Sequence, residues 1–349
     1  MAGLAIGRVS PDPYVGAVVV KNNKIIAKGY HGEVATPHAE SWALKKAGEK
    51  ARGATLYVNL EPCCHYGNNP PCADLILSCG IKEVVVAMQD PNPLVNGKGI
   101  KKLRKHGVKV RVGLLEKQAK LLNEVFIKNI TTSLPFVVLK EAQTLDGKIA
   151  TRTGNSRWVS SVDTQKFAHS LRNVYDAILC GVNTVLLDDP KLTTRLAIKI
   201  KNPIRIILDS KARTPLNSNV LNVKEARTII VVGPKAPKKK VKAIEAKGAE
   251  VLKINALNGK INVQMLLKKL GKMKITSVLV EGGGEVAASF LEKGLVDKAH
   301  FIFAPKIFGG RDAKTGVEGT GVKLPSQALM LKDLEVSRLG PDILISGYF

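Results

Sequence analysis

His38, Cys63 and Cys72 are metal-ligating side chains, and Glu40 stands two residues beyond the histidine. Two thiolates and one imidazole hold Zn²⁺ tightly and leave the fourth tetrahedral position open to water. A metal so placed lowers the pKa of that water until hydroxide is available near neutral pH. A carboxylate nearby that is not a ligand can shuttle the protons, and Glu40 suits that role. A structural zinc site would more often show four protein ligands in two paired clusters. The residue types therefore point to hydrolytic chemistry, with His38, Cys63 and Cys72 on the metal and Glu40 as the acid–base group.

His-x-Glu, then Pro62-Cys63 and a later cysteine, is the order used by zinc-dependent nucleobase deaminases. Most of these close the site as Pro-Cys-x-x-Cys, whereas here eight residues, Cys-His-Tyr-Gly-Asn-Asn-Pro-Pro, separate Cys63 from Cys72. The stretch Leu60-Glu61-Pro62-Cys63-Cys64-His65-Tyr66-Gly67 through Pro70-Pro71-Cys72 resembles the deaminase half of the bifunctional riboflavin-biosynthesis deaminase–reductase family. Pro91-Asn92-Pro93-Leu94-Val95, Gly97-Lys98-Gly99 and Gly16-Ala17-Val18-Val19-Val20 extend the resemblance, which covers almost the whole chain. It implies a cytidine-deaminase-like three-layer α/β/α domain followed by a dihydrofolate-reductase-like α/β domain.

A chain of 349 residues exceeds the usual single-domain size, and its 45% hydrophobic content can fill two cores. The expected domains are 1–132 and 133–349, with Ser133-Leu134-Pro135 at the junction. No apolar run approaches the length that spans a bilayer, and the first ten residues lack the pattern of a secretory signal. The five cysteines suit metal binding and reduced thiols better than a disulfide framework, with Cys79 and Cys180 as small core residues. A cytoplasmic enzyme without a membrane partner is the expectation.

A net charge of +25 could mark nucleic-acid binding, but the lysines are spread along the chain. The densest run, Lys235 to Lys242, lacks interleaved aromatics, and aromatic residues make up only 5% of the chain, too few for base-stacking platforms. The charge reads as a solvated basic surface with no nucleic-acid partner. Its field would attract phosphorylated substrates and NADPH.

Strands and helices should alternate in the first domain. Val15–Val20 and Lys24–Lys28 flank Asn22-Asn23, a hairpin turn. A helix after Pro37 should run through Leu44 and Ala47 to Gly48, with His38 in its first turn beside Glu40. Strand Thr55–Asn59 delivers Pro62-Cys63, and Pro71 opens a helix carrying Cys72. Strand Glu83–Met88, helix Ile100–Lys105, strand Val108–Val112 and a helix near Lys117–Lys128 complete it, giving a sheet covered on both faces.

The second half opens with strand Phe136–Ala142 and Thr144-Leu145-Asp146-Gly147-Lys148-Ile149-Ala150. Gly154-Asn155-Ser156-Arg157-Trp158, Gly181-Val182-Asn183-Thr184-Val185, Asp188-Asp189-Pro190-Lys191-Leu192-Thr193-Thr194-Arg195 and Val280-Glu281-Gly282-Gly283-Gly284-Glu285 follow. This set resembles the reductase half of the same family, which uses NADPH. The glycine run lies between strand Ser277–Val280 and helix Glu285–Lys293, and a helix start there offers free N–H groups to a phosphate. It is not the Gly-x-Gly-x-x-Gly fingerprint and is weak without the other segments.

The resemblance implies cofactor contacts at Ala142, Trp158, Thr184, Asp188 and Ser210. It extends them over the segment Gly283, Gly284, Glu285, Val286, Ala287, Ala288 and Ser289. It places the phosphoribosyl substrate against Ser156, Arg172, Leu192, Arg195 and Glu281, the two arginines suiting a phosphate through paired hydrogen bonds. Lys140, with Glu281 as its candidate partner, is the candidate proton donor in ribose ring opening. The implied reactions are removal of the 2-amino group of 2,5-diamino-6-ribosylamino-4(3H)-pyrimidinone 5′-phosphate, then NADPH reduction of the ribosyl C1′. Homo-oligomers are common among such enzymes.

Departures from the family gather around the expected deaminase pocket: Asp12 for asparagine, Trp42 for histidine or asparagine, Asn68 for a basic residue and Cys64 for serine. The chain also starts about one helix short of the family pattern. Asp12 and Asn68 would weaken or alter binding of an anionic substrate unless compensated elsewhere. A reductase-only enzyme with a residual zinc domain is thus one alternative. An RNA adenosine deaminase would explain His-Ala-Glu and the charge but not the cysteine spacing or the second domain. A non-catalytic nucleic-acid binder would explain only the charge.

Overall fold

Asn22 and Asn23 both adopt positive φ (50° and 58°), and this reversal folds β1 (Gly16–Lys21) antiparallel onto β2 (Lys24–Tyr30). Asparagine tolerates that backbone region, so the turn matches its sequence. The computed structural model describes residues 1–67, 69–197, 201–257 and 259–349. The chain forms two compact units, Met1–Ser133 and Leu134–Phe349.

The first unit continues with α1 (Ala39–Ala47), β3 (Thr55–Leu60), α2 (Cys72–Ser78), β4 (Glu83–Met88), α3 (Lys98–Lys105) and β5 (Lys109–Val112). The sheet order is β2-β1-β3-β4-β5, with β3, β4 and β5 parallel. Strand side chains alternate between faces. Ala17, Val19, Leu56, Val58, Val84 and Val86 share a core with α1, α2 and α3. Val18, Tyr57 and Val85 line a surface groove together with Ala119 and Leu122 of α4 (Glu116–Leu122). The helical stretch expected near Lys117–Lys128 is interrupted at Asn123, after which α5 (Glu124–Thr132) begins. Asn123 leaves helical geometry because its side chain bonds the Tyr14 backbone: Oδ1 accepts from N–H at 2.8 Å, and Nδ2 donates to O at 3.2 Å.

In the second unit, β6 (Phe136–Thr144), α6 (Val162–Val174), β7 (Ala177–Gly181), α7 (Val182–Asp188), β8 (Ile204–Leu208) and β9 (Thr228–Val232) come first. Then follow α8 (Lys238–Glu245), β10 (Glu250–Lys253), the short pair β11 (Ala256–Leu257) and β12 (Lys260–Ile261), and α9 (Val263–Lys272). The chain ends with β13 (Ser277–Val280), α10 (Gly284–Leu291), β14 (Lys298–Ala304), β15 (Lys332–Leu339) and β16 (Asp342–Tyr348). Nine strands form one sheet, β10-β9-β8-β7-β13-β6-β14-β16-β15, parallel except where β16 and β15 join antiparallel. Val137, Leu139, Leu179 and Val280 pack with α9 and α10, while Ile178, Cys180 and Ile207 pack with α7 and α8 on the other face. Both units are layered α/β structures. Among the described residues no helix is long and apolar enough to cross a membrane.

Candidate active sites

His38 is the N-cap of α1, Glu40 its second residue, and Cys72 the first residue of α2, whose N-cap is Pro71. Two helix starts thus meet the loop after β3, which carries Cys63. His38 Nδ1 lies 3.2 Å from Cys72 Sγ and 3.6 Å from Cys63 Sγ, and one ligand atom from each residue lies within 4.8 Å of the others. Tetrahedral zinc with bonds of about 2.0–2.3 Å separates its ligand atoms by roughly 3.5 Å, so one cation fits this set. The Cys72 N–H donates to Cys63 Sγ at 3.3 Å. Hydrogen bonding from the Cys72 side chain lowers the Cys63 pKa, overcoming its burial, so one sulfur is already disposed to be a thiolate. Glu40 is buried, and burial pushes its carboxyl above the ordinary range.

A cleft of ≈ 340 Å³ reaches His38, Glu40 and Cys63 and is also lined by Asp12, His31, His65 and Asp90. Two residues without an assigned role shape it. His31 is buried, its ring edge-on to His38, and its Nε2 lies 3.1 Å from Asp12 Oδ2. Glu61 is buried: Oε2 accepts from the N–H groups of Asp90 (3.1 Å) and Gly97 (2.8 Å), and Oε1 from that of Ile100 (3.1 Å). The clamp ties the Cys63 turn to the cleft wall, where burial pushes Asp90 up to about 6. Gly99 is needed there, since a Cβ would collide with the Pro62 carbonyl. The Glu-Pro-Cys run was the available signal for Glu61.

Trp42 is not on this cleft. It lines a separate surface pocket with Arg8, Tyr30 and Lys46. Two helical residues turn the side-chain direction by about 200°, so Trp42 faces away from Glu40. Cys64 packs beside the first core. Asn68 lies outside the described residues.

In the second unit Glu281 follows β13 and is gripped from two sides. Arg172 of α6 donates to it twice, Nε to Oε1 at 3.0 Å and Nη2 to Oε2 at 2.8 Å, and Lys140 Nζ stands 3.4 Å from Oε2. Burial would raise this carboxyl, but the Arg172 and Lys140 charges outweigh it and hold the pKa down to about 2. Arg172 Nη1 donates to Thr193 O at 3.3 Å, so its fork is committed within the protein. Arg195 is exposed, with its N–H donating to His169 Nδ1 at 3.3 Å; Leu192 is buried at φ 52°. Glu141, beside Lys140, is buried with no partner for Oε1 among the described residues, and burial raises its pKa well above the usual range.

A second cleft, ≈ 520 Å³, brings together Ser156, Thr184, Asp188, Ser210, Ser289 and the backbone from Gly283 to Val286. Ser156 Oγ donates to Asp188 Oδ1 at 3.2 Å. The N-cap of α10 is Gly283, with no side-chain cap, which leaves the helix start to an anionic ligand. Gly284 has another reason to be glycine: a Cβ there would meet Thr315 O. Ala287 and Ala288 face the core, and Ala142 and Trp158 do not line the cleft; Trp158 is largely exposed, its carbonyl accepting from Lys306 Nζ at 2.7 Å.

The RibD C-terminal domain family matches residues 135–345, and the cytidine and deoxycytidylate deaminase zinc-binding region matches residues 5–88. The riboflavin biosynthesis protein RibD of Aquifex aeolicus is 46% identical over 339 residues, 97% of this chain and 93% of the relative. A solved Thermotoga maritima diaminohydroxyphosphoribosylaminopyrimidine deaminase/5-amino-6-(5-phosphoribosylamino)uracil reductase superposes with TM-score 0.85 at 39% identity, covering 99% of this chain and 95% of that one. Acinetobacter baumannii RibD, form 2, gives TM-score 0.88 at 34% identity with the same coverage. A zinc-ligand cluster of the deaminase kind and a reductase-type unit with its own cleft lie in one chain, over the segments that these relatives share, and the chain belongs to the RibD family of riboflavin biosynthesis proteins.

Proposed function

We propose that the protein deaminates 2,5-diamino-6-ribosylamino-4(3H)-pyrimidinone 5′-phosphate and then reduces its ribosyl group to ribityl with NADPH. The observation that carries this is the convergence of His38, Cys63 and Cys72 at one-cation spacing beside buried Glu40. His38, Cys63 and Cys72 would hold zinc, which when bound supplies the Lewis acid that makes water nucleophilic near neutral pH. Glu40 takes the proton of the attacking water and passes it to the departing amine, so that the C–N bond breaks and ammonia leaves. Glu61 and the Asp12–His31 pair hold the walls of the cleft.

In the second unit Thr184, Asp188, Ser210 and the start of α10 would bind NADPH, whose nicotinamide supplies the hydride when bound. Lys140 gives a proton to the ribose ring oxygen as the ring opens, and Glu281 keeps that ammonium in place. Arg195, Ser156 and Leu192 would position the phosphoribosyl group. Arg172 acts through Glu281, since its fork is already occupied. A cytoplasmic location and a homo-oligomeric state belong to the same proposal. No observation favours a reductase-only enzyme or an RNA deaminase.

The test is a pair of assays on one zinc-quantified sample. Ammonia release is followed with the diaminopyrimidinone phosphate, and NADPH oxidation with the deaminated substrate. Activity in both is expected. NADPH oxidation without ammonia release would reduce the assignment to the reductase, and silence in both would overturn it.

A further inference from the structure

Arg8, Tyr30, Trp42 and Lys46 line a cavity of ≈ 330 Å³ in the first unit that shares no lining residue with the metal cleft. That volume is at the low end for small-molecule clefts. Its walls are held in place. Trp42 and Lys46 lie one turn apart on α1 and so share a face. Gly29 of β2 packs against the base of Trp42, where an added Cβ would meet Trp42 Cβ and the Ala39 carbonyl. Arg8 stands between Ala5 and Val9, both fully buried, and its N–H donates to Ala5 O at 3.0 Å. The Thr36 hydroxyl closes the remaining wall by donating to Glu33 O at 2.6 Å, and Thr36 O accepts from Asn69 Nδ2 at 3.1 Å.

The indole of Trp42 is 38% exposed in this cavity, at a position where the family commonly has histidine or asparagine. Among the described residues neither the Tyr30 nor the Trp42 ring stacks on another ring or lies under a cation. Neither Arg8 nor Lys46 has a carboxylate partner among them. Glu33 is the one carboxylate of the lining, so the two cations outweigh it.

We propose that this cavity is a second ligand site on the first unit, for a planar heteroaromatic ring that carries a phosphate monoester, a nucleoside monophosphate by chemical class. The ring stacks on Trp42 and Tyr30, and the phosphate meets Arg8 and Lys46. An aromatic side chain accepts any base by its face, and a guanidinium with an ammonium neutralises a dianion. Inorganic phosphate would leave the indole in water, and an apolar group would leave both cations unanswered.

The test is calorimetric titration of the full-length, zinc-loaded protein, with NADPH present to fill the other unit's cleft. The probes are GMP, UMP, guanosine and ribose 5-phosphate; the proteins are the native chain, Trp42→Ala, Trp42→Phe and Arg8→Ala/Lys46→Ala. The native chain should bind a nucleotide at least about tenfold more tightly than guanosine or ribose 5-phosphate, and preference between GMP and UMP tells a purine from a pyrimidine source. Trp42→Ala should lose about 5- to 100-fold in nucleotide affinity with ribose 5-phosphate unchanged, and Trp42→Phe should fall between. The double variant should lose about 10- to 100-fold for the nucleotide with guanosine unchanged. Added salt should weaken nucleotide binding more than guanosine binding. Unchanged zinc content and melting temperature show that each variant is folded. Nucleotide binding that survives every variant would belong to another cleft and overturn the site. Guanosine bound as tightly as GMP, or native protein that binds none of the probes, would overturn it as well.

Discussion

Asp12 Oδ2 accepts a hydrogen bond from His31 Nε2 at 3.1 Å, and the His31 ring stands edge-on to His38, centroids 5.6 Å apart. The aspartate that departs from the family's asparagine is thereby engaged in the cleft wall rather than presented as a lone charge to an anionic substrate. Asp12→Asn retains an acceptor and should change the KM for ammonia release less than about threefold, within the net worth of a single hydrogen bond. Asp12→Ala strands the His31 nitrogen and should raise KM about tenfold at unchanged zinc content. Equal effects of the two substitutions in steady-state assays would show that the pair does not shape the site.

Metal removal separates the two units. Dialysis against a strong chelator should abolish ammonia release and leave NADPH oxidation with the deaminated substrate intact, because the candidate metal ligands His38, Cys63 and Cys72 all lie in the first unit. Added Zn²⁺ should restore ammonia release in proportion to the metal bound, as measured by atomic absorption.

The convergence of His38, Cys63 and Cys72 was legible because metal chemistry restricts residue types and short spacings carry it: His38 to Glu40 is two residues, and Pro71-Cys72 reads as a helix start. The Asn22-Asn23 hairpin was legible for a similar local reason, the need for positive φ. What escaped was set by distant partners. Asn123 breaks a helical pattern to bond Tyr14, 109 residues earlier. The resemblance implies a phosphate contact for Arg172, whereas its fork donates to Glu281, 109 residues later. Trp42 could be placed near the cleft from its number but not from its helical direction.

Lys140 is braced by Glu281 at 3.4 Å and faces no other carboxylate among the ion pairs of the described residues. Lys140→Met should lower NADPH-dependent reduction by about 10²- to 10⁴-fold, the usual contribution of a positioned acid. NADPH affinity, read by calorimetry, should stay within twofold, since Lys140 does not line the cofactor cleft. Retained turnover would remove Lys140 from the proton path.

The Glu141 and Glu281 carboxyls are both buried, but among the described residues only Glu281 has cationic partners in hydrogen-bond contact. Burial raises the Glu141 pKa in the folded state, so the folded chain keeps its proton while the unfolded chain loses it as pH rises past the ordinary value of 4.5. Stability therefore falls with rising pH through that window and is not penalised below it. Glu141→Gln cannot ionise and should stabilise the protein by about 1 kcal/mol at pH 7, with the gain gone near pH 4. Thermal unfolding of both proteins at the two pH values checks this, and an identical shift at both would refute the titration.

Arg205, the second residue of β8, is completely buried. Among the described residues its guanidinium meets no carboxylate and instead donates to five acceptors: Thr228 Oγ1 at 2.9 Å, and the carbonyls of Lys191 (3.3 Å), Asn219 (3.2 Å), Asn222 (2.8 Å) and Ala226 (2.6 Å). One side chain thus pins the long connection between β8 and β9 and the segment before β8. Arg205→Met matches much of the volume but strands those acceptors, each of which loses a charge-assisted bond. The loss should exceed about 3 kcal/mol, since leaving buried polar groups unpaired costs about 1–3 kcal/mol each. Arg205→Lys keeps the charge but reaches fewer of the carbonyls, and should fall between. Denaturant unfolding of the three proteins decides it, and a Met variant as stable as the native chain would show that the connection is held by its apolar packing alone.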